Sequence, residues 1–499
     1  MGKRHETGQE VIVLKSIRAA GTSRIRSAGV ERAEISVRYC LASFRRRPES
    51  RISKALWAVW TPVFTGVTAE MRLCFAFLSV ALLLTSLLLA ISPGVARAAD
   101  QPLRLQELID ECLKNSPELR AFESKVEGAK YRIPQAKSLP DPMFMFGYQN
   151  EGFRRITIGE EPQAMGMFGL SQMFFFPGKR DLKAEMAARD AEGLAALYGA
   201  AKLRFAARIK ELYYDLFLAF KTIDILQERA DLFSRVEDAA TARYASGMGS
   251  QQEVVMAQTE KYMLLEREEM QKQKIEAAQG MLNTTMGRDV NHQLGRPAEA
   301  SQTPLSLTLD ESLTLAKERS PEIKAKEKMI QGAQAKVKMA KKEYYPDVTL
   351  AAGYFPKTNG LLDMYSLTAT INLPIFYKTK QQQAVLEANA SLSEAKQELQ
   401  ATEYMLASAI RDSYSMAKSA GRLMVLYNDG LIPKAQQDVQ LALSGYVAGK
   451  TEAITVTTRL KALLDVELLY WAQYAEREKA IARLEALTTT TGAAAGGTK

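Results

Sequence analysis

Leu105-Gln-Glu-Leu-Ile109, Asn115-Ser-Pro-Glu-Leu119, Pro140-Asp141 and Gly147-Tyr148 recur as Leu309-Asp-Glu-Ser-Leu313, Arg319-Ser-Pro-Glu-Ile323, Pro346-Asp347 and Gly353-Tyr354. The echo continues downstream. Phe176-Pro177 is answered by Leu373-Pro374, and Arg243-Tyr244-Ala-Ser-Gly247 by Gly445-Tyr446-Val-Ala-Gly449. The offset stays between 197 and 206, so a unit of about two hundred residues is duplicated. Function is then to be sought in something that two copies build together, rather than in a single catalytic pocket.

Each copy has the same order: short helix, medium helix, strand, loop, strand, very long helix, turn, long helix. In the second copy Leu309–Arg319 is helical and stops at Ser320-Pro321, where the proline suits a new helix start. Glu322–Glu343 continues as a Lys/Ala/Glu-rich helix that Pro346 ends. Tyr365, Leu367, Ala369, Ile371 and Leu373 then alternate with Ser366, Thr368, Thr370 and Asn372, which predicts a strand with one apolar and one polar face. Its nine residues match a tilted transmembrane β-strand, although a half-buried soluble strand alternates in the same way. The expected partner is Val348–Tyr354, and the expected first-copy pair is Met143–Gln149 and Ala164–Phe174.

The long helices carry a stronger pattern. Phe205, Ile209, Leu212, Leu216, Ala219, Ile223, Leu226, Ala230 and Phe233 step by fours and threes, and Val385, Leu392, Leu399 and Leu406 keep one heptad position while Ala388, Ala395 and Ala409 keep another. This predicts helices over Lys179–Ala245 and Thr379–Ser444, each on the order of 100 Å long at the α-helical rise.

The formal charge of +9 suggests nucleic acid or acidic lipid until it is located. Residues 1–98 hold 15 of the 66 Lys and Arg and 6 of the 57 Asp and Glu, so the remainder has 51 of each sign and is neutral. No nucleic-acid partner is expected. Met71-Arg72, the apolar run Leu73–Ile91 and Ala96-Arg97-Ala98 form a signal-peptide pattern over residues 71–98, with residues 1–70 expected as an over-extended start. Copy one is then assigned to residues 99–300, copy two to 301–487, and a low-complexity disordered tail to 488–499. Cys112 alone would remain after processing, so no internal disulfide is expected.

Long paired helices attached to four short strands in a duplicated, exported chain resemble the TolC family of outer-membrane efflux proteins. The match rests on the two Ser-Pro-Glu turns, the joint Asn372-Leu-Pro-Ile-Phe376 followed by Ala384 and Ala388, and the two Tyr-x-x-Gly turns, the first leading into Ser250-Gln-Gln-Glu253. It spans about Leu103 to Leu487. The resemblance implies a mainly α fold with a small transmembrane β part. Each protomer of a homotrimer would give four strands to a 12-stranded β-barrel in outer-membrane lipid, and its helices to an α-helical periplasmic tunnel. Implied partners are a periplasmic adaptor (membrane fusion protein) and an inner-membrane pump. Four strands cannot close a barrel alone, and lipid excludes open sheet edges, so association follows if these strands span a membrane.

Enzyme motifs are absent from the sequence: there is no P-loop, no Gly-x-Ser-x-Gly and no His-Glu-x-x-His. A passive conduit needing no cofactor is expected, against the alternative of a periplasmic coiled-coil adaptor without a pore. The resemblance puts the tunnel's closed end at the Tyr-x-x-Gly turns, making Tyr244, Gly247, Tyr446 and Gly449 gate candidates. Where the family commonly places carboxylates, nine and twelve residues beyond Tyr446, this chain has Thr455 and Thr458, leaving Glu253 and Glu452 as acidic candidates. For Glu452 a simple helix-start role is the plainer expectation. Pro177 and Pro374 mark the strand-to-helix joints, and Tyr365, Leu367, Ala369, Ile371 and Leu373 the expected lipid face. Met143, Met145, Met165, Met167 and Met173 fall at even spacing, as slim apolar fillers or, on a lumenal face, as thioethers for soft ions such as Cu(I) or Ag(I). Phe174, Phe175, Phe176 and Tyr148 are expected in an interfacial aromatic girdle.

Overall fold

The computed structural model describes residues 102–489 except 159 and 300, so the expectations for residues 1–98 and for the tail beyond 489 lie outside the described residues. The first copy forms α1 (Leu105–Asn115), α2 (Pro117–Lys137), β1 (Met143–Gln149), β2 (Met165–Phe174), α3 (Lys179–Ala245) and α4 (Gln251–Met286). The second forms α5 (Leu309–Arg319), α6 (Pro321–Lys342), β3 (Val348–Phe355), β4 (Met364–Ile371), α7 (Gln381–Val425), α8 (Ile432–Val447) and α9 (Ala453–Thr488).

Local chemistry sets these boundaries. Thr308 and Glu311 make a reciprocal capping box at the start of α5, satisfying two backbone donors that the helix leaves open. Arg104 occupies the equivalent place before α1 and makes no side-chain cap. At both Ser-Pro junctions proline takes the first helical position, where no N–H is needed.

The helix α3 runs 67 residues without a break, whereas the expected second-copy helix over Thr379–Ser444 is jointed. Residues 375–380 form turns, and a π-helical segment at Leu426–Leu431 separates α7 from α8. Pro433 explains the joint, because it has no N–H for the Asp429 carbonyl and its ring crowds that carbonyl, so the coil widens by one residue. The heptad frame also slips in the lower half of α7, where Ile410 is buried and Ala409 is exposed.

The two largest buried clusters of the helical core lie along the long helices. One joins Leu108, Cys112, Ile209, Leu216, Leu282 and Tyr474 from α1, α3, α4 and α9. The other joins Leu226, Phe233, Val236, Leu264, Tyr446, Val456 and Leu460 nearer the hairpin tips. Cys112 is a free, buried thiol whose pKa burial pushes up to about 11, so it packs as an apolar side chain.

The strands make one antiparallel meander in the order β1-β2-β3-β4, leaving β1 and β4 as open edges. Its register sorts the side chains. Phe168, Tyr354 and Tyr365 lie in one row, and Leu170, Ala352 and Leu367 in the next, so Phe144, Phe146, Leu350 and Ile371 share an apolar face with them. The opposite face carries Met143, Ser171, Ala351 and Thr368 in one row and Met145, Gly169, Gly353 and Ser366 in another. Leu373 falls beyond the last residue of β4, so it belongs to the joint rather than to the strand expected over Tyr365–Leu373.

Candidate functional site

Three places collect the residues with a functional reading: the hairpin tips, the sheet faces and the joint between sheet and helices. At the first tip α3 ends in a Schellman turn, in which Met248 N–H donates to the Arg243 carbonyl at 2.9 Å and Gly247 N–H to that of Tyr244 at 3.0 Å. At the second, Lys450 N–H donates to the Gly445 carbonyl at 2.8 Å and Gly449 N–H to that of Tyr446 at 3.0 Å. Gly247 and Gly449 have φ of +74° and +69°, the left-handed backbone that glycine takes without strain.

The two tips are tied within one chain. Arg243 donates to the Tyr446 carbonyl at 3.0 Å and to that of Met248 at 3.2 Å, and its guanidinium lies 4.9 Å from the centre of the Tyr446 ring. The Tyr446 hydroxyl donates to Glu253 at 3.3 Å. Burial, together with the nearby Glu253 carboxylate, raises the Tyr446 pKa above the ordinary tyrosine value. Tyr446 is 1 % exposed, while its repeat counterpart Tyr244 is 49 % exposed. Duplicated residues thus sit in opposite environments. Glu253 is drawn into this contact, whereas Glu452 is an exposed N-cap residue making no side-chain cap. Thr458 is exposed with its hydroxyl turned back to the Ile454 carbonyl at 2.7 Å, and Thr455 is half-buried one turn earlier. Arg243 was not singled out from the sequence, because an arginine before a turn carries no periodic signal.

On the sheet, Tyr365 is 83 % and Leu367 81 % exposed, and the apolar face is uncovered on this single chain. Met143, Met145, Met165, Met167 and Met173 all stand on the opposite face; the rows of Met143, Met145 and Met173 continue into Ala, Gly, Ser and Thr of copy two, while Met165 and Met167 lie opposite Gln149 and Gly147 of β1. There is little room for a Cβ at Gly169 beneath Met145, nor at Gly147 beneath Met167, so these two thioethers lie across the neighbouring strand's glycines. Phe174 is on the apolar face, but Phe176 departs from the expected girdle: it stacks on Tyr345 at 4.4 Å, inside the joint.

That joint holds a group the sequence did not flag. Lys179 is 1 % exposed at the start of α3 and pairs with both oxygens of Asp347, at 2.9 and 3.0 Å, and with the Tyr345 carbonyl at 3.0 Å. Phe176 N–H donates to the same carboxylate at 2.7 Å, and Lys342 donates to the Pro177 carbonyl at 3.2 Å. The repeated Pro-Asp pair was the available signal. Pro374 ends in a tight turn, with Ile375 N–H donating to the Leu373 carbonyl at 2.9 Å.

Among the described residues no group of three or more His, Cys, Asp or Glu gathers where it could hold a metal ion, and no helix is long and apolar enough to cross a membrane. The fold is thus a duplicated helical hairpin carried on a small antiparallel sheet with one exposed apolar face. The profile of the outer membrane efflux protein family matches residues 108–288 and 313–490, one stretch per copy, and the chain belongs to that family. It is 23 % identical over 383 residues to the cobalt-zinc-cadmium resistance protein CzcC of Cupriavidus metallidurans, covering 76 % of this chain and 88 % of that one. Among solved structures, the outer-membrane channel OprN superposes with a TM-score of 0.69 at 14 % identity, covering 78 % of this chain and 90 % of that one. CusC superposes with a TM-score of 0.67 at 15 % identity over 80 % and 95 %. The protein is an outer membrane efflux protein of the TolC family.

Proposed function

We infer that this chain is the exit duct of a three-part efflux or secretion assembly, working as a homotrimer with a periplasmic adaptor and an energised inner-membrane pump. The observation that carries this reading is the open four-stranded sheet, apolar on one face and, apart from Gln149 and Phe355 at the strand ends, small, hydroxylic or thioether-bearing on the other. Three such sheets joined edge to edge make a twelve-stranded barrel with no free edge, and the helices, on the order of 100 Å long in α3, continue it as a tunnel. Tyr365, Leu367, Ala369 and Ile371 would then meet lipid, and the tips around Tyr244, Gly247, Glu253, Tyr446, Gly449, Glu452, Thr455 and Thr458 would form the periplasmic gate. The lack of any nucleotide-binding motif in the sequence favours energy supplied by the pump.

The reading is tested by fractionation. A trimer that dissociates only on heating should be recovered from outer-membrane fractions and should conduct ions in planar bilayers. A soluble periplasmic monomer would favour the adaptor reading instead, against which stands the presence of both strand pairs in one sheet.

A further inference from the structure

Methionine is sorted by face across the sheet. Met143, Met145, Met165, Met167, Met173 and Met364 all fall on the hydroxylic face, and none on the face that carries Phe144, Phe146, Phe168 and Leu170. Apolar filling alone would place them among those aromatic and aliphatic side chains. On the β1–β2 ladder each successive rung of the hydroxylic face carries one: Met143 opposite Ser171, Met145 opposite Gly169, Met167 opposite Gly147 and Met165 opposite Gln149. Met173 follows one rung nearer the helices.

These five thioethers form a continuous run. Met173 to Met143 and Met145 to Met167 are diagonal steps across the ladder, and Met143 to Met145 and Met167 to Met165 are steps of two residues along one strand, each about 7 Å between side-chain origins. At the middle of the run the Met145 methyl lies 3.2 Å from where a Cβ at Gly169 would stand, and the Met167 methyl 3.0 Å from that point at Gly147. Each side chain thus reaches across the groove toward the other's strand, and the two glycines keep that groove open. Met143 and Met145 are exposed on the single chain. Beside the thioethers these rungs offer two glycines, the Ser171 hydroxyl and the Gln149 amide, and no charged group.

We propose that this run of methionines is a track of weak binding sites for a soft monovalent cation, Cu(I) or Ag(I), along the lumenal wall of the barrel. Neutral, polarizable sulfur selects such ions over hard cations, which want oxygen ligands. Zn(II) is held by thiolate, imidazole or carboxylate, and none of these stands on the rungs of the track. Several weak sites in close succession let an ion enter and still leave, as conduction requires. The proposal rests on the duct reading above, which turns this face to the lumen, and the experiment measures binding and passage separately.

The probe is silver nitrate in chloride-free buffer, applied to the full chain carrying Cys112→Ala so that the free thiol contributes no silver. Equilibrium dialysis should find Ag(I) bound and Zn(II) unbound. Met143→Leu, Met145→Leu and Met167→Leu together, which conserve volume, should lower the bound silver several-fold. The same exchange at Met270, Met281 and Met405, exposed on α4 and α7, should leave it unchanged. In planar bilayers Ag(I) should reversibly depress the conductance of the Cys112→Ala channel and not that of its three-leucine variant. Silver retained in full by that variant, or zinc bound as well as silver, overturns the track and leaves the duct standing. Silver held at these methionines in a channel whose conductance does not change would instead overturn the lumenal placement of this face, and with it the duct reading's assignment of the two faces.

Discussion

Lys179 and Tyr446 are the two residues whose burial is hardest to understand from composition, and both lie where one copy meets the other. An ammonium group removed from water is tolerated only when paired and hydrogen-bonded, which Asp347 and the Tyr345 carbonyl provide. Lys179→Met leaves that carboxylate without its cation and should destabilise the sheet–helix joint by about 3–5 kcal/mol, measured as loss of folded protein in urea titration. Asp347→Asn keeps an acceptor for Phe176 N–H but leaves the buried Lys179 ammonium with only the Tyr345 carbonyl and the longer contact to Glu343, so it should destabilise the joint to a similar degree. At the tips, Tyr446→Phe removes the hydroxyl that reaches Glu253 and should raise the conductance of the resting channel in planar bilayers, while Tyr244→Phe should leave it unchanged. The raised pKa of Tyr446 sets the sign of the pH response. Its contribution is intact below the ordinary tyrosine value near 10 and is lost as pH rises through the higher value of the folded state. Alkaline solution should therefore loosen the tip in the wild type and have little further effect in Tyr446→Phe.

The strands and long helices were legible because their periods are simple. The alternation over residues 365–371 and the four-three stepping from Phe205 to Phe233 both describe buried or shared faces that the structure contains. What the sequence could not supply was cross-strand register, which decides that all five methionines of β1 and β2 share one face. The π-helical joint escaped for a different reason: it adds one residue between the buried Met424 and Val439, and the only local sign of it in the sequence is Pro433. Lys179 was hidden because a lysine at a helix start is ordinarily solvated. On β4 the faces make a direct test. Leu367→Arg or Ile371→Arg should cost about 2–4 kcal/mol near the membrane midplane and reduce assembly, whereas Thr368→Arg should assemble and alter conductance. Equal damage from both faces would mean that the strand is buried on both sides.

For the whole molecule, the narrowest point of the duct should lie at the tips. Cysteines at Thr455 or Thr458 should cross-link between protomers and block efflux, while a cysteine at Gln397, midway along α7, should not. With threonines in place of a carboxylate ring, and with Glu253 engaged by Tyr446, divalent and trivalent cations should block the open end only weakly. Strong, voltage-dependent block abolished by Glu253→Gln or Glu452→Gln would instead show a relocated acidic ring. The two hairpins are also unequal as mechanical parts. The one built on α3 is a single strut, whereas the one built on α7 and α8 carries an elbow at residues 426–431. A lateral push on the second tip would meet that elbow on one arm and the unbroken α9 on the other. The same push on the first tip would travel the full length of α3 and arrive at Lys179 as leverage on the barrel wall.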